Sequence, residues 1–348
     1  LPASGNGTLA TIDFLITGQA GDTSPLQFAS VLLNDGAMNA TTTDGFVTVN
    51  ALSLSGAIRF WNTNSAVSGV SVTLSGDTSA ATSTDAGGNY TLTNLAPGTY
   101  TVTPTRTDGV NGITSFDASL VLQHAVGTTP LSGHAAIAAD VNKSGSINSM
   151  DAAYIMQYSV GLITLPFPGA GTIWEFDLPS HSYNPLNSSQ GNQDFTAILI
   201  GDPSGGWSNT SSAPAPASEE LPATLRLETS EADAQGYRTT VVWLDDLSID
   251  MYSLDLVLSN SLINASIETD ARTEAYQLVT NLEAPDGIRV ALAGATPLTE
   301  DGPVLTIRYK SQENHSETEP EILLAQINEQ VVVNNQPLSQ VFLPLVVN

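Results

Sequence analysis

The sequence contains no cysteine, which excludes disulfides, thiolate metal ligands and cysteine nucleophiles. Basic residues are also scarce: nine Lys and Arg stand against 35 Asp and Glu, and the formal net charge is −26. Nucleic acid is therefore not an expected partner, because phosphate binding needs clustered basic side chains. An acidic chain instead favours solubility and cations such as Ca²⁺. No apolar run reaches about 18 residues, so no transmembrane segment is predicted.

Catalytic motifs are missing as well. The four histidines lie outside any metal-binding or nucleophile motif, and no G-x-S-x-G, H-E-x-x-H or P-loop pattern occurs. No segment is long enough for a catalytic barrel once the strands are assigned, so the sequence predicts a protein that is not an enzyme. Leu1 does not read as a natural start and no signal peptide follows it, which predicts a processed or truncated N-terminus.

Acidic residues divide the chain into two parts. Residues 1–218 hold 14 of the 35, whereas residues 219–348 hold the other 21. The change follows "SNTSSAPAPASEE" (208–220), whose alternating Ala and Pro predict a semi-extended linker. On both sides, short alternating runs bounded by Gly, Pro and Asp, such as "TLATIDFLIT" (8–17) and "SGVSVTLSG" (68–76), predict antiparallel β-sandwich strands.

A helical segment is duplicated between these β regions. "SFDASLVLQHAVG" (115–127) and "SMDAAYIMQYSVG" (149–161) repeat at an offset of 34 residues, and each ends at a Gly suited to the position after a helix. Identical pairs include Ser115/Ser149, Asp117/Asp151, Gln123/Gln157 and Gly127/Gly161. The ungapped matches indicate a tandem duplication.

The strongest chemical motif, D-V-N-K-S-G-S-I-N-S-M-D, precedes the second helix and has the spacing of an EF-hand loop. Calcium takes six to eight oxygen ligands, and the loop supplies them while a Gly at position 6 permits the turn. The predicted ligands are Asp140, Asn142, Ser144, Ser146 through its backbone carbonyl, Asn148 directly or through water, and Asp151. The alternative is an Asx-rich turn that caps a helix without metal.

Two departures from the EF-hand pattern stand out: Ser144 at position 5, and Asp151 in place of Glu at position 12. Only two formal charges face the ion, which predicts the modest affinity of extracellular calcium modules. The first copy of the loop is degenerate, with Arg106 at position 1. Asp108, Asn111 and Asp117 either form a second, shortened calcium site there or belong to a metal-free copy.

These two loop–helix units, each ending Gln-x-x-Val-Gly, resemble a type I dockerin over about residues 107–165. The resemblance implies calcium in both loops. It also implies docking onto cohesin domains through the helices and loop positions 10 and 11, here Ser115 and Phe116, then Ser149 and Met150.

Other segments resemble β-sandwich domains of surface proteins. "SGAIRFWNTNSAVSGVSVTLSG" and "TDAGGNYTLTNLAPGTYTVTP" resemble a collagen-adhesin B-type or carboxypeptidase-regulatory-like domain, and "IRVALAGATPLTEDGPVLTIRYK" resembles part of a cohesin. "LPASGNGTLATIDFLI" parallels "TPLTEDGPVLTIRY", so the N-terminal region resembles the second half of another cohesin whose first half lies outside this sequence.

The expected fold is therefore mainly β, with several β-sandwich domains in tandem and a small α dockerin-like module built on EF-hand loops. The predicted divisions are 1–52, the C-terminal part of a cohesin-like sandwich; 53–106, a small collagen-adhesin B-type sandwich; 107–165, the dockerin-like unit; 166–207, a strand extension packing on that unit; 208–220, the linker; and 221–348, a complete cohesin-like sandwich.

These features predict a non-catalytic structural protein, located at the cell surface or in a secreted filament. It would be a subunit of a calcium-stabilised fibre or scaffold, with copies of itself or other cohesin- or dockerin-bearing surface proteins as partners. Two alternatives remain open: a scaffold or docking part of a secreted polysaccharide-degrading complex, and a carbohydrate-binding adhesin. Polysaccharide is a candidate partner in both.

Overall fold

The computed structural model is mainly β, with several sheets and three short helices among the residues it describes. Those residues are 7–8, 10–14, 18–33, 40–209, 222–259, 262–311 and 320–334. Within these ranges, none of the helices has the length and hydropathy needed to cross a membrane. The predicted linker lies outside them apart from residues 208–209, as does the strand predicted at "VFLPLVV" (341–347).

The N-terminal region contains a small antiparallel sheet of two strands, β1 (Thr23–Leu26) and β2 (Gly45–Thr48). The strand predicted at residues 8–17 is not formed at residues 8 and 10–14, and its other residues lie outside the described ranges. No neighbouring strand pairs with these described residues, and an extended segment without a partner gains no ladder hydrogen bonds.

A small sandwich of two four-stranded sheets follows. Its strands are β3 (Leu52–Phe60), β4 (Ser71–Gly76), β5 (Ala80–Ser83), β6 (Asn89–Leu95), β7 (Gly98–Thr105), β8 (Trp174–Asp177), β9 (His181–Leu186) and β10 (Phe195–Leu199). The sheet orders are β6-β3-β10-β8 and β5-β4-β7-β9. Strand alternation sets the faces: in β4, Val72 and Leu74 are buried whereas Ser71 and Thr73 are exposed.

The last three of these strands come from the region predicted to extend over the dockerin-like unit. In the structure β10 pairs in parallel with β3, and β9 pairs antiparallel with β7. The extension is therefore hydrogen-bonded into the small sandwich. Alternation in the sequence predicts that a strand exists, but it does not predict which distant strand will pair with it. Strand β9 was not predicted.

Three helices form the unit inserted between β7 and β8: α1 (Ser115–Ala125), α2 (Gly133–Ala139) and α3 (Ser149–Ser159). The two helices predicted from the duplication are α1 and α3, and each begins with the same reciprocal capping box. The N-cap side chains are those of Thr114 and Asn148, and the carboxylates are those of Asp117 and Asp151. Because the residue pairs repeat, the local start signals repeat with them.

The C-terminal region is a second sandwich. Its strands are β11 (Thr224–Thr229), β12 (Arg238–Asp245), β13 (Met251–Leu258), β14 (Leu262–Thr269), β15 (Gln277–Asn281), β16 (Ile288–Leu298), β17 (Gly302–Ser311), β18 (Ile322–Ile327) and β19 (Gln330–Asn334). The sheets run β11-β12-β17-β14 and β15-β16-β13-β18-β19. Inward-facing residues such as Leu254, Leu256 and Ile307 are fully buried between them.

The two helices of the duplicated unit pack on the outer face of the five-stranded sheet. α1 lies against β13 and β16, and α3 lies against β15 and β16. Ala291 and Ala293 of β16 are fully buried in the same hydrophobic cluster as Ala118 of α1. Small side chains on β16 allow this close approach, and the hydrophobic core continues from the small sandwich through the helices to the C-terminal sheet.

Candidate calcium loop and docking face

The loop from Asp140 to Asp151 joins α2 to α3. Its tight path needs two residues in the left-handed region, Lys143 with φ 55° and Gly145 with φ 84°. Glycine adopts this conformation without strain, whereas lysine does so at a cost. The Lys143 ammonium donates to the Ile137 carbonyl and forms an ion pair of 2.9 Å with Glu175, which ties the loop to β8.

The two carboxylates of the loop converge. Asp140 accepts hydrogen bonds from the backbone N–H groups of Ser144 (3.0 Å) and Gly145 (2.8 Å). Asp151 accepts from those of Asn148 (3.0 Å) and Asn142 (3.3 Å). Burial, with a smaller contribution from the negative charge of Asp140, raises the pKa of Asp151. Two carboxylates that repel each other in a partly buried loop are favourable surroundings for a cation.

The remaining predicted ligands lie in the same hydrogen-bonded cluster. Asn142 Oδ1 accepts from the Ser144 N–H (2.9 Å), and Ser144 Oγ donates to the Ser146 carbonyl (3.1 Å). Asn148 Nδ2 also donates to that carbonyl (3.2 Å), while Asn148 Oδ1 accepts from the Met150 N–H as the helix cap. The structure thus brings all six predicted residues together, and the side-chain oxygen of Asn148 serves as the N-cap of α3.

Calcium fits the chemistry of this donor set. The side-chain and carbonyl groups are hard oxygen donors, the type that Ca²⁺ prefers. Among the described residues, no group of three or more His, Cys, Asp or Glu side chains is arranged to hold a metal. The loop has only two carboxylates, so most of its ligands would be Asn, Ser and carbonyl oxygens. If bound, the ion would be held by Asp140, Asn142, Ser144, Ser146 and Asp151.

The three residues considered for a second site in the first loop have separate partners. Asp108 is exposed and pairs with Arg106 (3.2 Å). Asn111 is hydrogen-bonded through its amide to the backbone of Ser208. Asp117 is fully buried and accepts from the N–H groups of Thr114 and Ser204.

Loop positions 10 and 11, expected to dock, differ between the two copies. Ser115 is buried against the C-terminal sheet, where its Oγ donates to Asp255 Oδ2 (2.7 Å) and its N–H donates to the same oxygen (3.2 Å). The equivalent Ser149 and its neighbour Met150 are exposed. At the far end of α3, the Asn281 amide donates to the Val160 carbonyl (2.9 Å).

A group of carboxylates, here called the junction carboxylates, lies where α1, the loop after β10 and the β18–β19 turn meet. Burial, together with Asp202 and Glu329, raises the pKa of Asp117 well above its usual range. Burial and Glu329 raise the pKa of Asp202 to about 8, and burial raises that of Glu329. Burial, with Glu329, raises the pKa of Asp255 to about 6.

Sequence reasoning missed three of these, Asp202, Asp255 and Glu329. Asp255 had a signal in the sequence, because it is the only charged residue within the apolar run of β13. The Ser204 hydroxyl links the other two, lying 3.0 Å from Asp202 Oδ1 and 3.0 Å from Glu329 Oε1. Asp202 also accepts from the N–H groups of Gly206 and Trp207, and Glu329 Oε1 also accepts from the Thr114 hydroxyl.

Two domain families match the chain. A family model for the carboxypeptidase regulatory-like domain matches residues 53–115, and one for the dockerin type I domain matches residues 108–158. These matches confirm both resemblances expected from the sequence. No curated protein matches the chain.

Solved structures of β-sandwich proteins are also similar, at low identity. A cohesin module of a family 33 glycoside hydrolase from Clostridium perfringens is 11% identical and covers 30% of this chain and 80% of its own, with a TM-score of 0.24. A non-cellulosomal cohesin from Archaeoglobus fulgidus is 18% identical, covering 26% and 66%, with a TM-score of 0.22. The major pilin subunit BcpA of Bacillus cereus is 8% identical, covering 80% and 63%, with a TM-score of 0.25. The chain is thus a mainly β protein whose residues 53–158 are similar to a carboxypeptidase regulatory-like domain followed by a dockerin type I domain.

Proposed function

We propose that this chain is a non-catalytic, extracellular structural protein, a subunit of a calcium-stabilised surface fibre or scaffold. Calcium binds the loop Asp140–Asp151 and rigidifies the start of α3. Neighbouring polypeptides join the chain at its N-terminal region. Both domain types that match the chain are modules of non-catalytic assembly, which supports the absence of an enzymatic role.

The observation that carries the assembly proposal is a pair of equivalent segments with opposite surroundings. At a constant offset of 295 residues, Gly7, Thr11 and Ile12 match Gly302, Thr306 and Ile307. Ile307 in β17 is fully buried, between paired strands β12 and β14 and below the opposite sheet. Ile12 is 71% exposed.

The same contrast holds for the aromatic residues. Phe14, the counterpart of the fully buried Tyr309, is 54% exposed. Other large exposed side chains of the same region are Phe28, Val31, Leu32, Leu33 and Phe46. So many exposed apolar side chains in one region mark a surface that is suited to being covered by further strands. The C-terminal copy supports strands of a cohesin-like first half as that cover.

The outer face of the five-stranded sheet in the C-terminal sandwich is occupied within the chain by α1 and α3. Cohesin–dockerin pairing between chains would have to displace this contact, including the Ser115–Asp255 hydrogen bond. Association through the N-terminal region needs no such displacement. We therefore favour this association over head-to-tail docking, in which the helices of one chain would bind the sheet of the next.

The adhesin alternative requires exposed aromatic platforms. Trp174 and Trp207 are both buried. Trp61 and Trp243 are partly buried, and the guanidinium of Arg226 lies over the Trp243 ring at 5.0 Å. The tryptophans therefore form no such platform, and the exposed aromatic residues of the described ranges are Phe14, Phe28 and Phe46 of the N-terminal region, which we assign to assembly. The other alternative is a scaffold in a secreted polysaccharide-degrading complex. It would use the same modules as the proposed fibre subunit and would differ from it only in its partners.

Electron microscopy of native extracellular material, labelled with an antibody against this chain, tests the proposal. We expect labelled filaments or sheets that disassemble when calcium is removed with a chelator. Label on dispersed single particles, or on particles that carry polysaccharide hydrolases, would contradict the fibre role.

A further inference from the structure

The two loops of the duplicated unit can be compared position by position. The 34-residue offset places Arg106 where the second loop has Asp140, Asp108 opposite Asn142, and Asp117 opposite Asp151. Both loops enter their helix through the same capping box. A difference between equivalent positions therefore reflects the loop itself rather than a different local fold.

Position 12 shows the first difference. In the second loop, one oxygen of Asp151 accepts from the N–H of Asn142, at position 3 of the same loop. In the first loop, the matching oxygen of Asp117 accepts instead from the Ser204 N–H (3.0 Å), in the segment after β10. The closing carboxylate of the first loop is thus committed to a neighbouring segment.

Position 1 shows the second difference. The Arg106 side chain is 9% exposed, and its Nε donates to the carbonyl (3.0 Å) and carboxylate (3.2 Å) of Asp108 at position 3. Its guanidinium lies 5.0 Å from the Trp174 ring and 5.5 Å from the Trp207 ring. The two rings are in edge-to-face contact, with centroids 5.2 Å apart, and a guanidinium at these distances is attracted by the negative face of an aromatic ring.

The same two tryptophans fix the loop backbone. Trp174 Nε1 donates to the Asp108 carbonyl (2.9 Å), and Trp207 Nε1 donates to the Gly109 carbonyl (2.7 Å). Position 5 is Val110, whose side chain has no oxygen. The Asn111 amide is engaged at both ends with the Ser208 backbone, at 2.9 Å for each bond. The oxygens that a calcium ion would need at positions 5, 6 and 12 are therefore either missing or bonded to segments outside the loop.

From these contacts we propose that the first loop binds no calcium. The guanidinium of Arg106, beside the rings of Trp174 and Trp207, supplies the positive charge that holds this loop, so the chain binds a single calcium ion. The ion itself rests on the function proposed above, through the second loop. A divalent cation beside a buried guanidinium would also be repelled, which disfavours a second site.

It follows that the first loop–helix copy is ordered with or without calcium, whereas the order of the second copy depends on calcium. Helix α1 follows the loop that is held by the Arg106 guanidinium, and its Ser115 makes the contact with the C-terminal sheet. α3, whose loop needs calcium, begins with the exposed Ser149 and Met150. Calcium removal is expected to loosen the start of α3 while the contact between α1 and the C-terminal sandwich persists.

Calorimetric titration of the full chain with calcium alone, after chelator treatment, tests the stoichiometry. We expect one ion per chain for the wild type and none for Asp140→Ala, with circular dichroism showing that the variant is folded. Two ions in the wild type, or one remaining in Asp140→Ala, would overturn the inference about the first loop. No binding by the wild type would refute calcium in the second loop and leave the first-loop inference standing.

Arg106→Leu tests the role of the guanidinium, with Arg226→Leu as the matched control. Arg226 also lies over a tryptophan and pairs with acidic residues, but it is exposed. We expect Arg106→Leu to lower the melting temperature by several degrees, equally with calcium and with chelator, and by more than the control. A loss seen only with calcium, or no larger than the control, would contradict the proposal. If the leucine variant does not fold, Arg106→Lys serves the same comparison.

Discussion

Ser115 and Asp255 lie 140 residues apart in sequence and share a hydrogen bond of 2.7 Å from hydroxyl to carboxylate. The first residue begins α1, and the second is on the outer face of β13. Their contact joins the duplicated unit to the C-terminal sandwich. It is surrounded by apolar packing of α1 on Ala291 and Ala293, so the two parts are expected to unfold together.

The alanines of β16 provide a test of this packing. Ala293→Phe places a large side chain under α1, and overpacking of this kind costs about 1–3 kcal/mol. We expect the single unfolding transition of the wild type to split in two in differential scanning calorimetry. Ala271→Phe, at an exposed position of the same sandwich, is the control and should keep one transition. One transition in both variants would argue against the helix–sheet junction.

Calcium removal should destabilise the protein through the second loop. A ligand at about 100 times its dissociation constant stabilises the folded state by about 2.7 kcal/mol, since the unfolded loop has no site. We expect a chelator to lower the melting temperature of the wild type, and Asp140→Ala to lose this dependence. Asp108→Ala, the exposed position-3 acid of the first loop, should retain it. An unchanged melting curve with chelator would refute calcium binding.

Stability should also depend on pH through Asp255. Its pKa is raised to about 6 by burial, so its stabilising effect is complete below its unfolded value near 3.8 and is lost as pH rises through about 6. Asp255→Asn keeps an oxygen to accept from Ser115 and carries no charge. At pH 8 the variant should be more stable than the wild type by at most about 3 kcal/mol, since each pKa unit corresponds to about 1.4 kcal/mol.

Urea denaturation of both proteins at pH 4, 6 and 8 measures this difference. The other junction carboxylates, Asp117, Asp202 and Glu329, titrate in the same direction and remain in the variant. The difference between the two proteins therefore reports the charge of Asp255 together with its repulsion from Glu329. Equal stability of the two proteins at every pH would show that the charge of Asp255 does not oppose docking.

The sequence predicted most of the local structure and the position of the loop from Asp140 to Asp151. Capping residues, the glycine at position 6 and the 34-residue repeat are local signals, and they correctly gave α1, α3 and the grouping of Asp140 with Asp151. Strands β4, β6 and β7, and the first part of β3, followed from alternation, whereas β5 was not predicted. Helix α2 was missed, because its alanine-rich seven residues show little polar contrast.

Long-range relationships were not predictable in the same way. Three relationships join segments far apart in sequence: the pairing of β10 with β3, the packing of α1 on β16, and the contact of Arg106 with two tryptophans. Their signals are single residues, such as Asp255 in an apolar strand, whose partners depend on the assembled fold. Periodicity reports which face is buried, but not what buries it.

We propose that the exposed N-terminal residues join this chain to its neighbours in a calcium-stabilised assembly. Sedimentation velocity of the purified full chain over a range of concentrations, with calcium and with chelator, tests it most directly. The matched variants are Ile12→Ser combined with Phe14→Ser, and Leu178→Ser, which removes another exposed apolar side chain outside this region.

We expect larger species for the wild type and for Leu178→Ser as the protein concentration rises in calcium, and fewer with chelator. The double variant should show a marked loss of assembly. A wild-type chain that stays monomeric at every concentration with calcium present, or equal assembly of all three proteins, would contradict the proposal.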